Sequence, residues 1–487
     1  MSALNPLKPS ERMKIPRQAS LEQEPGVRNR NFEEVSHGLD EARAAIEATR
    51  CLECKNAICV EGCPVNIDIR AFVERILAKD YAGAVQKIRE ANYLPAICGR
   101  VCPQEEQCEQ VCTLGKKHDP VAIGKLERFV ADYEMEHDLF VAPEIPVRRN
   151  RKVGIVGSGP AGLTCAAELA KLGYDVTVFE ALHAVGGVLR YGIPEFRLPR
   201  AILDLETNRI RALGVSIITN FVVGRTATVD ELFDEWGFEA LFLGTGAGSP
   251  HFMGIPGESL GGVYSANEFL TRVNLMKAYK FPDFDTPIKI GTSVAVIGGG
   301  NTAMDAVRTS KRLGAEHAYL IYRRSRAEMP ARQEEIHHAE EEGIEFLLLT
   351  NPVRILEDAS GWVAGIECQR MELGEPDDSG RRRPVAVKGS EFQLSVQTVI
   401  EAIGQQPNPI IQATTPGLNT GKRGTVIVDD LQATSRPGIF AGGDLARGGA
   451  TVILAMRDGK KAAAAIHSYL EQKAAPRRDV PHPTAVN

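Results

Sequence analysis

Lys152-Val-Gly-Ile-Val-Gly157-Ser-Gly159-Pro-Ala-Gly162-Leu is the stretch whose reading decides the fold. Val153 to Val156 is a short buried-strand run, the glycines form a turn, and Leu163 to Leu172 continues as a helix. Strand, glycine turn and helix in that order are the signature of a dinucleotide fold. Gly157 permits the tight turn, Gly159 lets the backbone approach a pyrophosphate, and Gly162 allows the helix to pack closely on the strand. Pro160 and Ala161 complete the loop at the helix N-terminus, where free N–H groups receive phosphate. A bare glycine turn at a strand end is the plain alternative. Against it, Asp175 to Phe179 supplies a second strand, and Glu180 ends that strand 23 residues after Gly157, where a carboxylate can accept from ribose hydroxyls.

The pattern recurs downstream. Ser293 to Ile297 is apolar and β-rich, Gly298-Gly-Gly300-Asn301-Thr302-Ala303 is the loop, and Met304 to Leu313 is the helix. After the next strand, Ala318 to Tyr322, the expected acid is missing, and Arg323 and Arg324 stand there with Arg326 close behind. A carboxylate would repel a 2′-phosphate, whereas guanidinium groups pair with it, so this second site is expected to prefer NADP(H). Surface arginines after a strand are the bland reading.

Gly343 to Thr350 and Val396 to Ile403 read as further strands, and Glu401-Ala-Ile-Gly404-Gln-Gln-Pro407-Asn408 as a strand and turn crossing between domains. Ile439-Phe-Ala-Gly442-Gly443-Asp444 resembles the strand that returns to a flavin domain, with Asp444 placed for the ribityl or pyrophosphate portion of FAD or, more plainly, as an N-cap. Ala450 to Gly459, with Thr451 in its first turn, reads as a helix whose N-terminal dipole can stabilise negative charge on a reduced flavin ring. The second nucleotide unit is thus inserted within the first.

Ahead of both units stand eight of the ten cysteines: Cys51, Cys54, Cys59 and Cys63, then Cys98, Cys102, Cys108 and Cys112. The first four, with Pro64 directly after them, are close to the bacterial ferredoxin run, in which the last cysteine serves the other cluster. Two iron–sulfur clusters with interleaved ligands are the expectation, and counting alone assigns all eight thiols to them. The sequences from Asp40 to Arg50, Ile69 to Lys79 and Tyr81 to Glu90 read as short helices, so this region is a small helical domain around its cysteines. Residues 1 to about 30, rich in proline and charge, read as an arm or partner-binding tail and stay unassigned.

A chain of 487 residues is too long for one core. The expected division is 1–145 for the clusters, 146–285 and 406–487 for FAD, and 286–405 for NADPH, with Pro143 and Pro146 marking a linker. A formal charge of −6 argues against nucleic acid as a partner, and Arg381, Arg382 and Arg383 read as a solvated loop. The N-terminus shows no apolar signal region and no window approaches the ~20 apolar residues of a membrane span. A cytoplasmic, reducing setting is expected, where clustered cysteines mean metal or redox chemistry.

Taken together, the cysteine array, Gly157 to Gly162, Glu180, Gly298 to Asp305, Tyr322-Arg-Arg-Ser and Ala441-Gly-Gly-Asp444 resemble the small subunit of NADPH-dependent glutamate synthase and its relatives. These include the large subunit of NADH-dependent ferredoxin:NADP oxidoreductase and the N-terminal half of dihydropyrimidine dehydrogenase. The resemblance spans roughly residues 35 to 470. It implies an α/β fold with a helical N-terminal iron–sulfur domain and two nested Rossmann-like domains, for FAD and NADPH. It also implies a ligand set for two 4Fe–4S clusters: Cys51, Cys54, Cys59 and Cys112 for one, and Cys63, Cys102, Cys108 and a non-cysteine ligand, matched by Glu127, for the other. Cys98 is then a spare thiol. Gly186-Gly187-Val-Leu-Arg190-Tyr-Gly-Ile-Pro194 matches the flavin-proximal loop, with Arg190 set to contact the ring or NADPH.

NADPH gives up a hydride and a cluster accepts one electron at a time, so FAD has to stand between them, and no acid–base residue is needed. Two partnerships follow from the resemblance. In a ferredoxin-linked transhydrogenase the chain works with ferredoxin and a small FAD/NAD subunit; in a glutamate synthase it feeds a large amidotransferase subunit. Cys63-Pro-Val-Asn-Ile-Asp-Ile and Asp119-Pro-Val-Ala-Ile-Gly-Lys-Leu-Glu-Arg-Phe look more like the first group. Glutamine hydrolysis is not expected of the chain alone, since no N-terminal cysteine nucleophile is present. A dithiol reductase would need a CxxC in its nucleotide domain, where Cys165 and Cys368 are isolated. A cluster-bearing scaffold without turnover leaves two intact nucleotide loops unexplained.

Overall fold

The computed structural model describes residues 7–145, 147–377 and 380–474. The start of the arm, Pro146 of the linker and the end of the last expected segment lie outside the described residues. Helices Glu41–Thr49, Ile69–Leu77, Tyr81–Arg89, Pro95–Val101 and Ile123–Glu136 build the cysteine domain. Three of them start at aspartates, Asp40, Asp68 and Asp80, whose carboxylates accept from the backbone N–H of Arg43, Ala71 and Gly83. Apolar residues at helical spacing, among them Phe72, Ile76, Val85, Ile88, Leu126 and Val130, fill its interior.

The arm is a strap. Arg12 is buried and donates to the Cys51 carbonyl at 2.8 Å, and Arg17 donates to the Pro120 carbonyl at 2.8 Å and to Glu109 at 2.7 Å. Farther along, Arg28 reaches Glu341 at 2.6 Å and Glu342 at 3.1 Å in the second nucleotide unit. Residues 7 to 38 therefore tie the cysteine domain to the rest of the chain.

Two five-stranded parallel sheets follow. In the first the order is Ile439–Ala441, Ala240–Leu243, Lys152–Val156, Asp175–Phe179, Ser216–Ile218. In the second it is Glu345–Leu348, His317–Tyr322, Ser293–Ile297, Thr398–Glu401, Val263–Ser265. Both show the same construction: the glycine-loop strand is central, and the chain reverses direction of travel beside it. That reversal opens a crevice at the carboxyl edge of each sheet. The antiparallel pair Ser249–Pro250 and Gln405–Gln406 carries the chain into and out of the second unit. Because Val263–Ser265 belongs to the second sheet, that unit begins well before residue 286, where the sequence reading divides the two.

Residues 350–394 add an antiparallel layer of Thr350–Glu357, Val363–Pro376, Arg382–Ala386 and Phe392–Leu394. Arg382 and Arg383 are exposed, yet they lie on a paired strand and not on the loop that their charge suggests. Among the described residues, no helix is long and apolar enough to cross a membrane.

Candidate functional site

In the first crevice, Gly157 has φ +101°, and a Cβ there would lie 2.5 Å from the Gly244 carbonyl oxygen across the crevice. A Cβ at Gly162 would lie 2.0 Å from the Gly157 carbonyl oxygen, so the helix Pro160–Lys171 rests directly on the loop. Gly159 borders open space, and Gly187, at φ +54°, faces it with its own Cβ position 2.9 Å from Gly159 Cα. The cradle is made of backbone and fits a pyrophosphate lying across a helix N-terminus. Glu180 is buried; its carboxylate accepts from the Ser158 N–H at 3.0 Å, from the Ser158 hydroxyl and from the Leu182 N–H at 2.8 Å. Arg190 donates to the Val185 carbonyl at 2.6 Å and pairs with Asp204, so it holds the loop's shape.

Gly443, at φ +64°, opens the short helix Asp444–Arg447. Asp444 accepts from the Ala450 N–H at 3.1 Å, and burial lifts its carboxyl to about 6. Thr451 stands just ahead of the helix Val452–Ala474. Asp458, fully buried in that helix, accepts from the Gly443 N–H at 3.1 Å and pairs with Arg447, fixing the turn from below. Sequence reasoning missed Asp458 because its partners lie on the preceding turn, outside any local motif.

The second crevice repeats these contacts: a Cβ at Gly298, φ +144°, would lie 2.4 Å from the Ala402 carbonyl oxygen. Gly300 sits at the N-terminus of helix Asn301–Arg312, where a Cβ would meet only Pro330 Cγ at 3.9 Å, and of the residues after it Thr302 is exposed and Ala303 buried. Asn301 Oδ1 accepts from the Arg332 N–H at 3.0 Å. The arginines separate in role. Arg324 is buried, donating to Asp377 at 2.6 Å and to the Arg382 carbonyl at 2.8 Å; Arg326 pairs with Glu340. Arg323 alone of the three is exposed without a hydrogen-bond or ion-pair partner among the described residues, and fits a 2′-phosphate.

The eight thiols of the cysteine domain fall into two electrostatic groups. Cys59 is pushed up to about 12 by burial and then by Cys51, Cys112 and Cys54; these four are half-buried. Burial raises Cys63 to about 11, with Glu127 and Cys102 adding to it, and Cys108 feels Cys63, Glu127 and Cys102 as well. Cys98 is fully buried in the same second group, 3.4 Å from Met456 Sδ of the Val452–Ala474 helix. Glu127 is buried and lifted to about 8 by desolvation, against the hydrogen bond it receives from Asn92. Among the described residues only Glu22, Glu334 and His338 bring three ligand atoms within 4.8 Å of one another. No three of the sulfurs thus converge within 4.8 Å as on one tetrahedral ion, and the donor chemistry of the two thiol groups fits iron–sulfur clusters, whose iron would make thiolates of these reluctant thiols.

Residues 28–139 match the family model for dihydropyrimidine dehydrogenase domain II, 4Fe-4S cluster, and residues 151–459 match that for pyridine nucleotide-disulphide oxidoreductase. The chain is 42% identical over 440 residues to subunit beta of the NADP(+)-dependent formate dehydrogenase of Moorella thermoacetica, covering 85% of this chain but only 60% of that one. It is 36% identical over 452 residues to the small chain of NADPH glutamate synthase of Escherichia coli strain K12, covering 91% of this chain and 95% of that one. Mycobacterium tuberculosis FprA in complex with NADPH shares the fold at a TM-score of 0.56 and 22% identity, over 66% of this chain and 85% of that one.

The class that fold, site and matches define is an NADP-dependent oxidoreductase that uses FAD and 4Fe–4S clusters. Within that class, the chain belongs to the glutamate synthase small-chain family.

Proposed function

We propose that the chain is the NADP(H)-binding large subunit of a ferredoxin:NADP transhydrogenase, exchanging electrons with ferredoxin and with a small FAD/NAD subunit. The observation that carries this reading is the burial gradient between the thiol groups. Cys63, Cys102 and Cys108 are buried, and Cys98 beside them touches the flavin half through Met456; Cys51, Cys54, Cys59 and Cys112 are half-buried. Clusters held by these two groups would pass electrons from the flavin half outward to the less buried thiols, where a one-electron protein carrier could meet them.

When bound, FAD converts the hydride of NADPH into single electrons for the clusters. The chain's own residues hold and orient the parts. Arg323 would pair with the 2′-phosphate, Glu180 would accept from the FAD ribose, and the Gly157–Gly162 and Gly298–Ala303 loops would receive the pyrophosphates. Gly187, Gly443, Asp444 and Thr451 would line the flavin. Cys51, Cys54, Cys59 and Cys112 would ligate the outer cluster, and Cys63, Cys102, Cys108 and Glu127 the inner one. Ten cysteines, none of them in a disulfide, accord with a reducing, cytoplasmic setting.

A second reading, the small subunit of glutamate synthase feeding a large amidotransferase subunit, is favoured by the 95% of the Escherichia coli small chain that this chain covers. Anoxic purification of the native complex separates the two. A copurifying small flavoprotein, with NADPH-linked ferredoxin reduction, is the expected result. A copurifying large amidotransferase with no ferredoxin reduction overturns it.

A further inference from the structure

Asn92 is fully buried in the turn between the helices Tyr81–Arg89 and Pro95–Val101. Its Oδ1 accepts from the Leu94 backbone N–H at 2.8 Å and stands 3.8 Å from Cys98 Sγ. Its Nδ2 donates to Glu127 Oε1 at 2.8 Å. The amide has one workable orientation. Turned over, its NH2 would face another N–H and its carbonyl oxygen would face a carboxylate oxygen, so both bonds would be lost. Glu127 Oε2 has no hydrogen-bond partner among the described residues, and the groups that feel the Glu127 charge include Cys63, Cys102 and Cys108.

We propose that Asn92 is a positioning residue for the inner cluster: it holds Glu127 by Oε1, so that Oε2 is the atom presented to iron. This rests on the reading of Glu127 as a ligand. A ligand that accepts a hydrogen bond at its other oxygen is a weaker electron donor, and cluster potentials respond to hydrogen bonds and charge around their ligands. Asn92 therefore raises the potential of the inner cluster relative to that of the same site without the bond. The same amide accounts for the position of Cys98, whose thiol is engaged by Asn92 Oδ1 on one side and Met456 on the other.

The test uses anoxically purified, cluster-loaded protein carrying Asn92→Ala, alone and combined with Glu127→Cys. Iron per chain, the EPR spectrum of the reduced protein and the two midpoint potentials are the readouts. In Asn92→Ala, iron content should stay at the wild-type value while one cluster changes its EPR line shape and moves to a lower potential. In the Glu127→Cys background, Asn92→Ala should produce no further shift. Unchanged spectra and potentials in Asn92→Ala overturn the proposal, as does an equal shift in the Glu127→Cys background, because Asn92 would then act through packing. If Glu127→Cys alone leaves both clusters as in wild type, the ligand reading itself fails. Should Asn92→Ala not fold, Asn92→Asp keeps the bond from Leu94 and removes the donor to Glu127. It should lower the same potential, and an unaltered potential would overturn the proposal equally.

Discussion

Arg197 Nη1 lies 2.7 and 2.8 Å from the two carboxylate oxygens of Asp305, joining the flavin half to the helix that follows the second glycine loop. Both side chains are buried, and Arg197 also meets Glu335 at 2.9 Å. Arg308 continues the network to Glu335 and Glu342, and Arg28 of the N-terminal strap closes it on Glu342. Burial works against ionisation of Glu335, yet Arg197 and Arg308 outweigh it and bring the carboxyl down to about 2. The relative placement of the two nucleotide sites is thus held by desolvated, paired charge.

Removing one member leaves its partner buried and unpaired, which costs about 3–5 kcal/mol. Arg197→Met should destabilise the protein by that amount in urea unfolding. Arg197→Met combined with Asp305→Leu should recover a large part, since the stranded carboxylate is gone. Equal losses in the single and double variants would show that Arg197 contributes packing alone.

Coenzyme preference should divide between the arginines. Arg323→Ala removes a charge-assisted bond of about 1.5–3 kcal/mol, which raises KM for NADPH roughly 10- to 100-fold and leaves KM for NADH near its original value. Arg324→Ala should instead lower thermal stability, because that guanidinium holds Asp377 and the Arg382 carbonyl. Steady-state kinetics with both coenzymes checks the division; a selective NADPH defect in Arg324→Ala and none in Arg323→Ala would reverse it.

These contrasts mark what the sequence could reveal. Gly157 and Gly298 were legible because a positive φ and a crowded crevice are local demands that glycine meets, and the strands and helices around them repeat at fixed spacing. The grouping of Arg323 with Arg324 could not be resolved, because Asp377 is supplied by a hairpin 53 residues away. Asn92 meets Glu127 across 35 residues, and Arg28 meets Glu342 across 314. A buried polar pair leaves no periodic trace in either segment, so the strap and the amide emerged only from the packed chain.

Eight thiols do not make eight ligands if Glu127 completes the inner group. Cys98→Ser should leave iron per chain unchanged, since its sulfur is engaged by Asn92 and Met456. Glu127→Ala should lose or perturb one cluster. Iron analysis and EPR decide between the two assignments, and the reverse pattern would restore clusters ligated by cysteine alone.

Glu401, at the end of the strand Thr398–Glu401, is 2% exposed, and among the described residues neither of its carboxylate oxygens has a partner at full hydrogen-bond geometry, the Met253 backbone and Glu258 being its polar neighbours. Glu258 lies beside it, with its own oxygens accepting from the Gly254 N–H at 2.9 and 3.1 Å. Burial first, and then the Glu258 charge, raises the Glu401 carboxyl to about 7 from an ordinary 4.5. Between those values the folded chain binds a proton that the unfolded chain does not, so stability falls as pH rises from about 4.5 to about 7. The fall attributable to this group is at most about 3 kcal/mol, at about 1.36 kcal/mol per pH unit of displacement, and is reduced to the extent that solvent reaches the carboxylate. Glu401→Gln keeps the shape, supplies a donor towards Glu258 and carries no charge. Its unfolding free energy should match that of wild type near pH 5 and exceed it by a few kcal/mol at pH 8. Urea titrations at pH 5, 6, 7 and 8 measure this directly, and parallel curves for the two proteins would mean that Glu401 is satisfied as an anion.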